Sequence, residues 1–173
     1  MNDKSIRVLP HSRFDEELKS LGINDSNVES DAGDKAFISI IGTPECLKYY
    51  LHEEDTAHWF KDDHSNVINL DFDDIEGDVV YDGHTFKAMT DEQAERLVKF
   101  IEDNLGKDFI IHCRAGVSRS QGVGAFIYDN YREHFSEEQP TMIRRWANQW
   151  VIAKLNKVLM RRAYGDDIIE DNK

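Results

Sequence analysis

Short apolar runs alternate with longer amphipathic stretches along this chain. Residues 5–9, 36–41, 67–72 and 109–112 are rich in Ile, Val, Leu and Phe and are too short for helices, so they read as buried strands. Between them, apolar residues recur at three- and four-residue spacing. Ser12 is placed to cap a helix with Phe14, Leu18 and Leu21 on one face, ended by Gly22. Thr90 and Gln93 form a capping-box pair that opens a helix to Leu105, with Ala94, Leu97, Ile101 and Leu105 as its buried stripe and Gly106 as its stop. Another helix is expected from about Val117 to Tyr131. A last one, beyond the break at Pro140, carries Val151, Leu155, Val158 and Leu159 on one face. Residues 23–35, rich in Asn, Asp, Ser and Gly, read as an exposed loop. Gly42-Thr43-Pro44 closes the second strand and a short helix is expected near 46–51, while the rest of 45–65, like 133–147, follows no regular pattern. There is no internal repeat. Strands separated by helices predict an α/β fold: a single three-layer domain over 1–165, with a mostly parallel central sheet flanked by helices, and a flexible acidic tail over 166–173.

Composition narrows the partners. The 173 residues carry a net charge of −13, and phosphate backbones and anionic membranes repel such a surface. Nucleic acid and membrane are therefore not expected as partners, and a phosphoinositide is disfavoured. Two cysteines, Cys46 and Cys113, make no disulfide framework. The first residues lack an apolar signal core and no run approaches the ~18 apolar residues of a membrane span, so a cytoplasmic location is expected.

The chemistry concentrates at 107–120, Lys-Asp-Phe-Ile-Ile-His-Cys-Arg-Ala-Gly-Val-Ser-Arg-Ser. A strand, a turn and a helix follow one another here. Such a turn aims several backbone N–H groups at one spot, an anion site at a helix N-terminus. Arg119 adds a planar, permanently charged fork that suits a phosphate. A thiol at Cys113, in that positive cup, loses its proton readily. Phosphate held above a thiolate is set for phosphoryl transfer to sulfur.

The run His112-Cys113-x5-Arg119-Ser120 resembles the signature loop of the cysteine-dependent protein tyrosine phosphatases, and its Ala-Gly-x-Ser interior is closer to the compact dual-specificity branch found in bacteria and phages. That resemblance implies a phosphatase-like fold and a protein phosphatase acting on phosphotyrosine, with phosphoserine and phosphothreonine as further candidates. It implies that Cys113 attacks phosphorus and that Arg119, with the loop residues Arg114, Ala115, Gly116, Val117 and Ser118, binds the phosphate oxygens. Ser120 would donate to the departing sulfur and His112 would order the loop. Gly116 would let the backbone approach the anion closely. Neither metal nor cofactor is required.

The same resemblance implies a general acid on a loop after the preceding strand. Asn69-Leu70-Asp71-Phe72-Asp73-Asp74-Ile75 occupies that position, and aligning the strand and the following Ile favours Asp74, 39 residues (113 − 74) before Cys113. Asp73 is its competitor, and Asp78 and Asp82 are further candidates.

Other groups read more plainly. His52, His58 and His64 recur every six residues, a poor spacing for one helical face. Trp146 and Trp150 read as core, Arg144-Arg145 and Arg161-Arg162 as solvated faces, and Cys46 as a small buried filler. Two readings compete with the protein phosphatase: a Cys-x5-Arg enzyme acting on RNA 5′-phosphates, nucleotides or inositol phosphates, and a non-catalytic phosphoresidue-binding module. Low-molecular-weight phosphatases and arsenate reductases carry this loop near the N-terminus, which position 113 does not match. The oligomeric state is not legible.

Overall fold

Four of the apolar runs pair as a parallel sheet in the computed structural model, which describes residues 3–50 and 57–166. In chain order the elements are β1 (Ile6–Pro10), α1 (His11–Leu21), α2 (Val28–Asp31), β2 (Lys35–Ile41), α3 (Pro44–Tyr50), β3 (Val67–Asp71), β4 (Val79–Tyr81), β5 (His84–Phe86), α4 (Asp91–Asp103), β6 (Asp108–Cys113), α5 (Arg119–Asn130) and α6 (Gln149–Tyr164). The large sheet has the order β1-β6-β2-β3, so β6 is inserted between two earlier strands. Its register pairs Pro10 with Cys113 on one side and Ser39 with His112 on the other.

Alternation along the strands builds two cores. Phe109, Ile111 and Cys113 face the helices α4, α5 and α6, together with Ala36, Ile38 and Ile40 of β2. Ile110 faces the opposite layer, where Phe14 and Leu18 of α1 pack with Ile23, Val28, Phe37 and Phe60. The fold is thus α/β, a parallel sheet flanked by helices, as the alternating pattern predicts. No helix among the described residues is long and apolar enough to cross a membrane.

The capping box of α4 is present, with the Thr90 hydroxyl accepting from Gln93 N and the Gln93 side chain accepting from Thr90 N. Gly22 ends α1 in the left-handed region at φ 67°.

Several expectations change. Ser12 lies inside α1; Pro10 occupies the N-cap position because β1 runs directly into the helix, and Leu21 is 53 % exposed. Residues 23–35 are not simply an exposed loop, since Ile23, Val28 and Ala32 are buried. Local side-chain bonds shape that turn: Asn27 Oδ1 accepts from Asn24 N, and Asn24 Oδ1 accepts from Ser26 N. Helix α5 starts at Arg119, two residues later than expected, because 114–118 form the loop. The hairpin β4–β5 is a further finding; it turns at Asp82-Gly83, both at positive φ (50° and 76°), the pattern of a tight two-residue turn. Trp146 is exposed with the Arg145 guanidinium 5.0 Å from its ring centroid, and only Trp150 is partly buried. Arg144 is exposed and pairs with Asp129, and Arg162 with Glu95 and Glu102. Leu51, His52 and the tail beyond Asp166 lie outside the described residues.

Candidate active site

Strand β6 delivers Cys113 to the carboxyl end of the sheet, and the chain then turns through 114–118 into α5. Gly116 makes that turn possible. Its φ is +70°, and a Cβ there would stand 2.7 Å from Leu9 C and Pro10 N. The glycine serves the approach of the loop to β1. The carbonyl of Gly116 accepts from Gln121 Nε2 at 3.0 Å, and Arg114 O accepts from His11 N at 3.1 Å. Among the described residues the N–H groups of Ala115, Gly116, Val117 and Ser118 donate to no other group. Ala115, Val117 and Ser118 line the same cavity as Cys113.

The thiol of Cys113 is buried, with Ser120 Oγ 3.0 Å from its Sγ. Arg119 is buried too. Its Nη1 donates to Phe72 O at 2.8 Å, which fixes the guanidinium, while its Nε has no hydrogen-bond partner among the described residues. A buried donor left unpaired is costly, so this nitrogen is suited to an anion.

Two carboxylates stand at the end of β3 in different circumstances. Asp73 is 1 % exposed. It accepts from Thr43 N at 2.8 Å, from Thr43 Oγ1 at 2.8 Å and from Lys87 N at 2.7 Å, so it staples three loops together. Asp74 is exposed and reaches the loop 114–118: its Oδ1 accepts from Ser118 Oγ at 2.6 Å and from Asn148 Nδ2 at 2.8 Å. Asp78 is engaged by Lys87 Nζ and Ala88 N, and Asp82 sits in the hairpin turn; neither lines the cavity at Cys113.

That cavity encloses about 740 Å³. Cys113, Arg114, Ala115, Val117, Ser118 and Arg119 line one side, with Asp73 and Asp74 beside them. An apolar and aromatic part of the lining is built by Leu47, Tyr49 and Tyr50 of α3 and by Val79, Tyr81 and Phe86 of the hairpin. The Tyr49 ring meets Tyr81 at 6.2 Å and Phe86 at 5.6 Å between centroids, so helix and hairpin hold each other through aromatic edges.

Cys46, expected as a buried filler, is half-buried and lines the same cavity. Burial, then the adjacent Asp73 carboxylate, push its thiol up to about 11. His112 is wholly buried; burial first, then His11 4.7 Å away between ring centroids, hold it well below the ordinary histidine range, so its ring is neutral. Its Nε2 lies 2.7 Å from Ser39 Oγ.

Sequence reasoning missed Thr43, Asn148, the α3–hairpin wall and the partners of His112. Asp-Gly between Val79-Val80-Tyr81 and His84-Thr85-Phe86 was a readable hairpin signal. Asn148 had no signal, since it acts across 74 positions. His58 and His64 serve Asp71 and Asp25 separately, and no metal-holding cluster exists among the described residues. No protein family, no curated protein and no solved structure matches the chain.

Proposed function

We propose that this protein is a phosphatase that hydrolyses phosphotyrosine in protein or peptide substrates, through a cysteinyl-phosphate intermediate, in the cytoplasm. The observation that carries the reading is the convergence of Cys113, the buried Arg119 and Asp74 on one cavity. The thiolate attacks phosphorus as the bond to the leaving phenol breaks. Arg119 and the N–H groups of the loop hold the equatorial oxygens, where charge is spread in the transition state. Both donors to Asp74 reach Oδ1, which leaves Oδ2 to carry the proton that the phenolate takes. Water then attacks phosphorus, Asp74 accepts its proton, and Ser120 donates to the departing sulfur.

The aromatic wall favours phosphotyrosine. Tyr49, Tyr50, Tyr81 and Phe86 line the same cavity as Cys113, and rings there suit the phenyl ring of a phosphotyrosine better than the short aliphatic side chains of phosphoserine and phosphothreonine. The test is p-nitrophenyl phosphate hydrolysis by the wild type and Cys113→Ser. Turnover that falls by more than about 10⁴-fold in the variant supports the mechanism. An inert wild type that still binds a phosphotyrosine peptide would replace it with a binding module.

A further inference from the structure

A buried polar chain runs from the protein surface to the back of the nucleophile. Asp71 Oδ1 lies 2.5 Å from Nε2 of His58, and Nδ1 of His58 lies 2.6 Å from Ser39 Oγ. The same hydroxyl is 2.7 Å from Nε2 of His112, whose Nδ1 is 3.4 Å from the carbonyl oxygen of Cys113. Exposure falls along the chain, from 52 % at the Asp71 side chain to 13 % at His58 and 0 % at Ser39 and His112. Ser39, His58, Asp71 and His112 do not line the cavity, so none of them touches a bound substrate.

Proton counting gives this chain two arrangements. A carboxylate only accepts, so Nε2 of His58 holds a proton in either charge state. With His58 neutral, its bare Nδ1 accepts a hydrogen bond from the Ser39 hydroxyl, which keeps its proton. The Ser39 oxygen then accepts from Nε2–H of His112, and the bare Nδ1 of His112 faces the Cys113 carbonyl, lone pair against lone pair. With His58 charged, its Nδ1–H donates to Ser39, the hydroxyl donates to Nε2 of His112, and the His112 proton sits on Nδ1, aimed at that carbonyl. The balance is one proton taken up. The Nε2 proton of His112 passes to Ser39, that of Ser39 passes to Nδ1 of His58, and the incoming proton occupies Nδ1 of His112. The net charge rests on His58, against Asp71.

We propose that Ser39, His58 and Asp71 are positioning residues for Cys113: the charge on His58 selects which nitrogen of His112 carries the proton, and so whether His112 donates to the Cys113 carbonyl. The inference rests on Cys113 being the nucleophile. Among the described residues, the groups facing His58 are Asp71 of β3 and, through Ser39 of β2, His112 of β6. Burial first, then His11 of α1, and also Arg119 of α5 oppose a positive ring at His112. Donation to the carbonyl draws density from the residue that carries the thiolate and fixes the first peptide of the loop. Charged His58 therefore favours the reactive thiolate.

The test follows the Cys113 alkylation rate by iodoacetamide, read by mass spectrometry, and the ¹⁵N imidazole signals of His112, over about pH 5 to 8, where histidine titrates. The expected result is that wild-type His112 passes from the Nδ1–H to the Nε2–H tautomer as pH rises. His58→Gln abolishes that change and slows alkylation at about pH 6 by roughly threefold to tenfold, the worth of one hydrogen bond. Asp71→Asn, at the exposed end of the chain, removes the counter-charge and moves the tautomer change to lower pH. Should His58→Gln fail to fold, Asp71→Asn alone decides. One His112 tautomer throughout, or an Asp71→Asn profile that coincides with wild type, overturns the proposal. Neither readout needs turnover, so failure to hydrolyse p-nitrophenyl phosphate would overturn the reaction without touching this test.

Discussion

The hydroxyl of Ser118 donates to Oδ1 of Asp74 at 2.6 Å, joining the loop between β6 and α5 to a carboxylate 44 positions earlier. Ser118 holds the N-cap position of α5, yet its side chain makes no capping bond to the helix. The helix gives up a cap, about 1 kcal/mol in typical cases, and the loop gains a tie to the end of β3. Asn148, which caps α6 through Val151 N, donates to the same oxygen. Three elements thus meet at one carboxylate beside Cys113.

The neighbouring aspartates are expected to fail differently. On the proposed role of Asp74 as the proton donor, Asp74→Asn lowers kcat for p-nitrophenyl phosphate by about 10² to 10⁴-fold, the usual contribution of a general acid. Asp73→Ala removes the buried acceptor of the part-buried N–H groups of Thr43 and Lys87 and costs about 1 to 3 kcal/mol of stability. Urea unfolding and steady-state kinetics on both variants separate the roles.

Gly116→Ala should be among the most damaging single-methyl changes in the protein. The added carbon meets backbone rather than a movable side chain, 2.7 Å from Leu9 C and Pro10 N, at a φ of +70°. A loss of about 2 kcal/mol or more is expected, with displacement of the loop. Thermal unfolding measures the first, and the alkylation rate of Cys113 reports the second.

Tyr81→Ala tests the aromatic wall. Tyr81 is 63 % exposed, and without its ring the Tyr49–Phe86 contact still joins α3 to the hairpin. KM for a phosphotyrosine peptide should rise by roughly threefold to tenfold, the value of one aromatic contact, with little change for a phosphoserine peptide of the same sequence. Equal effects on both peptides would remove the wall from substrate selection.

His112 makes stability depend on pH with a definite sign. Its folded-state pKa lies well below the 6.5 of an ordinary histidine, because burial disfavours the charged ring. Between those two values the unfolded chain binds the proton and the folded chain does not, so unfolding is favoured as pH falls. The contribution is intact above 6.5 and lost below it, by up to about 1.4 kcal/mol per pH unit. Urea midpoints from pH 8 to 5 should fall in the wild type and fall less steeply in His112→Gln.

Much of the scaffold was legible because its signals are local. The periods of β1, β2, β3 and β6, the capping box at Thr90 and the glycine at position 22 each act within a few residues. Where local pattern and burial part company, the reading failed. Ile23, Val28 and Ala32 are buried inside a polar sequence because Phe14, Phe37 and Phe60 supply the rest of their core. Trp146 is exposed although its spacing from Trp150 is helical, because the helix starts only at Gln149.

By itself, the sequence determined the alternation that makes an α/β sheet and the consecutive residues that form the loop after β6, since both depend on neighbours along the chain. Tertiary structure alone decided which aspartate meets Ser118, which hydroxyl faces His112, and that Cys46 and the hairpin share a cavity with Cys113. Those contacts follow from the insertion of β6 between β1 and β2, which aligns Pro10 with Cys113 and Ser39 with His112. Strand order is set by how two cores bury their apolar faces at once, and no local period encodes it.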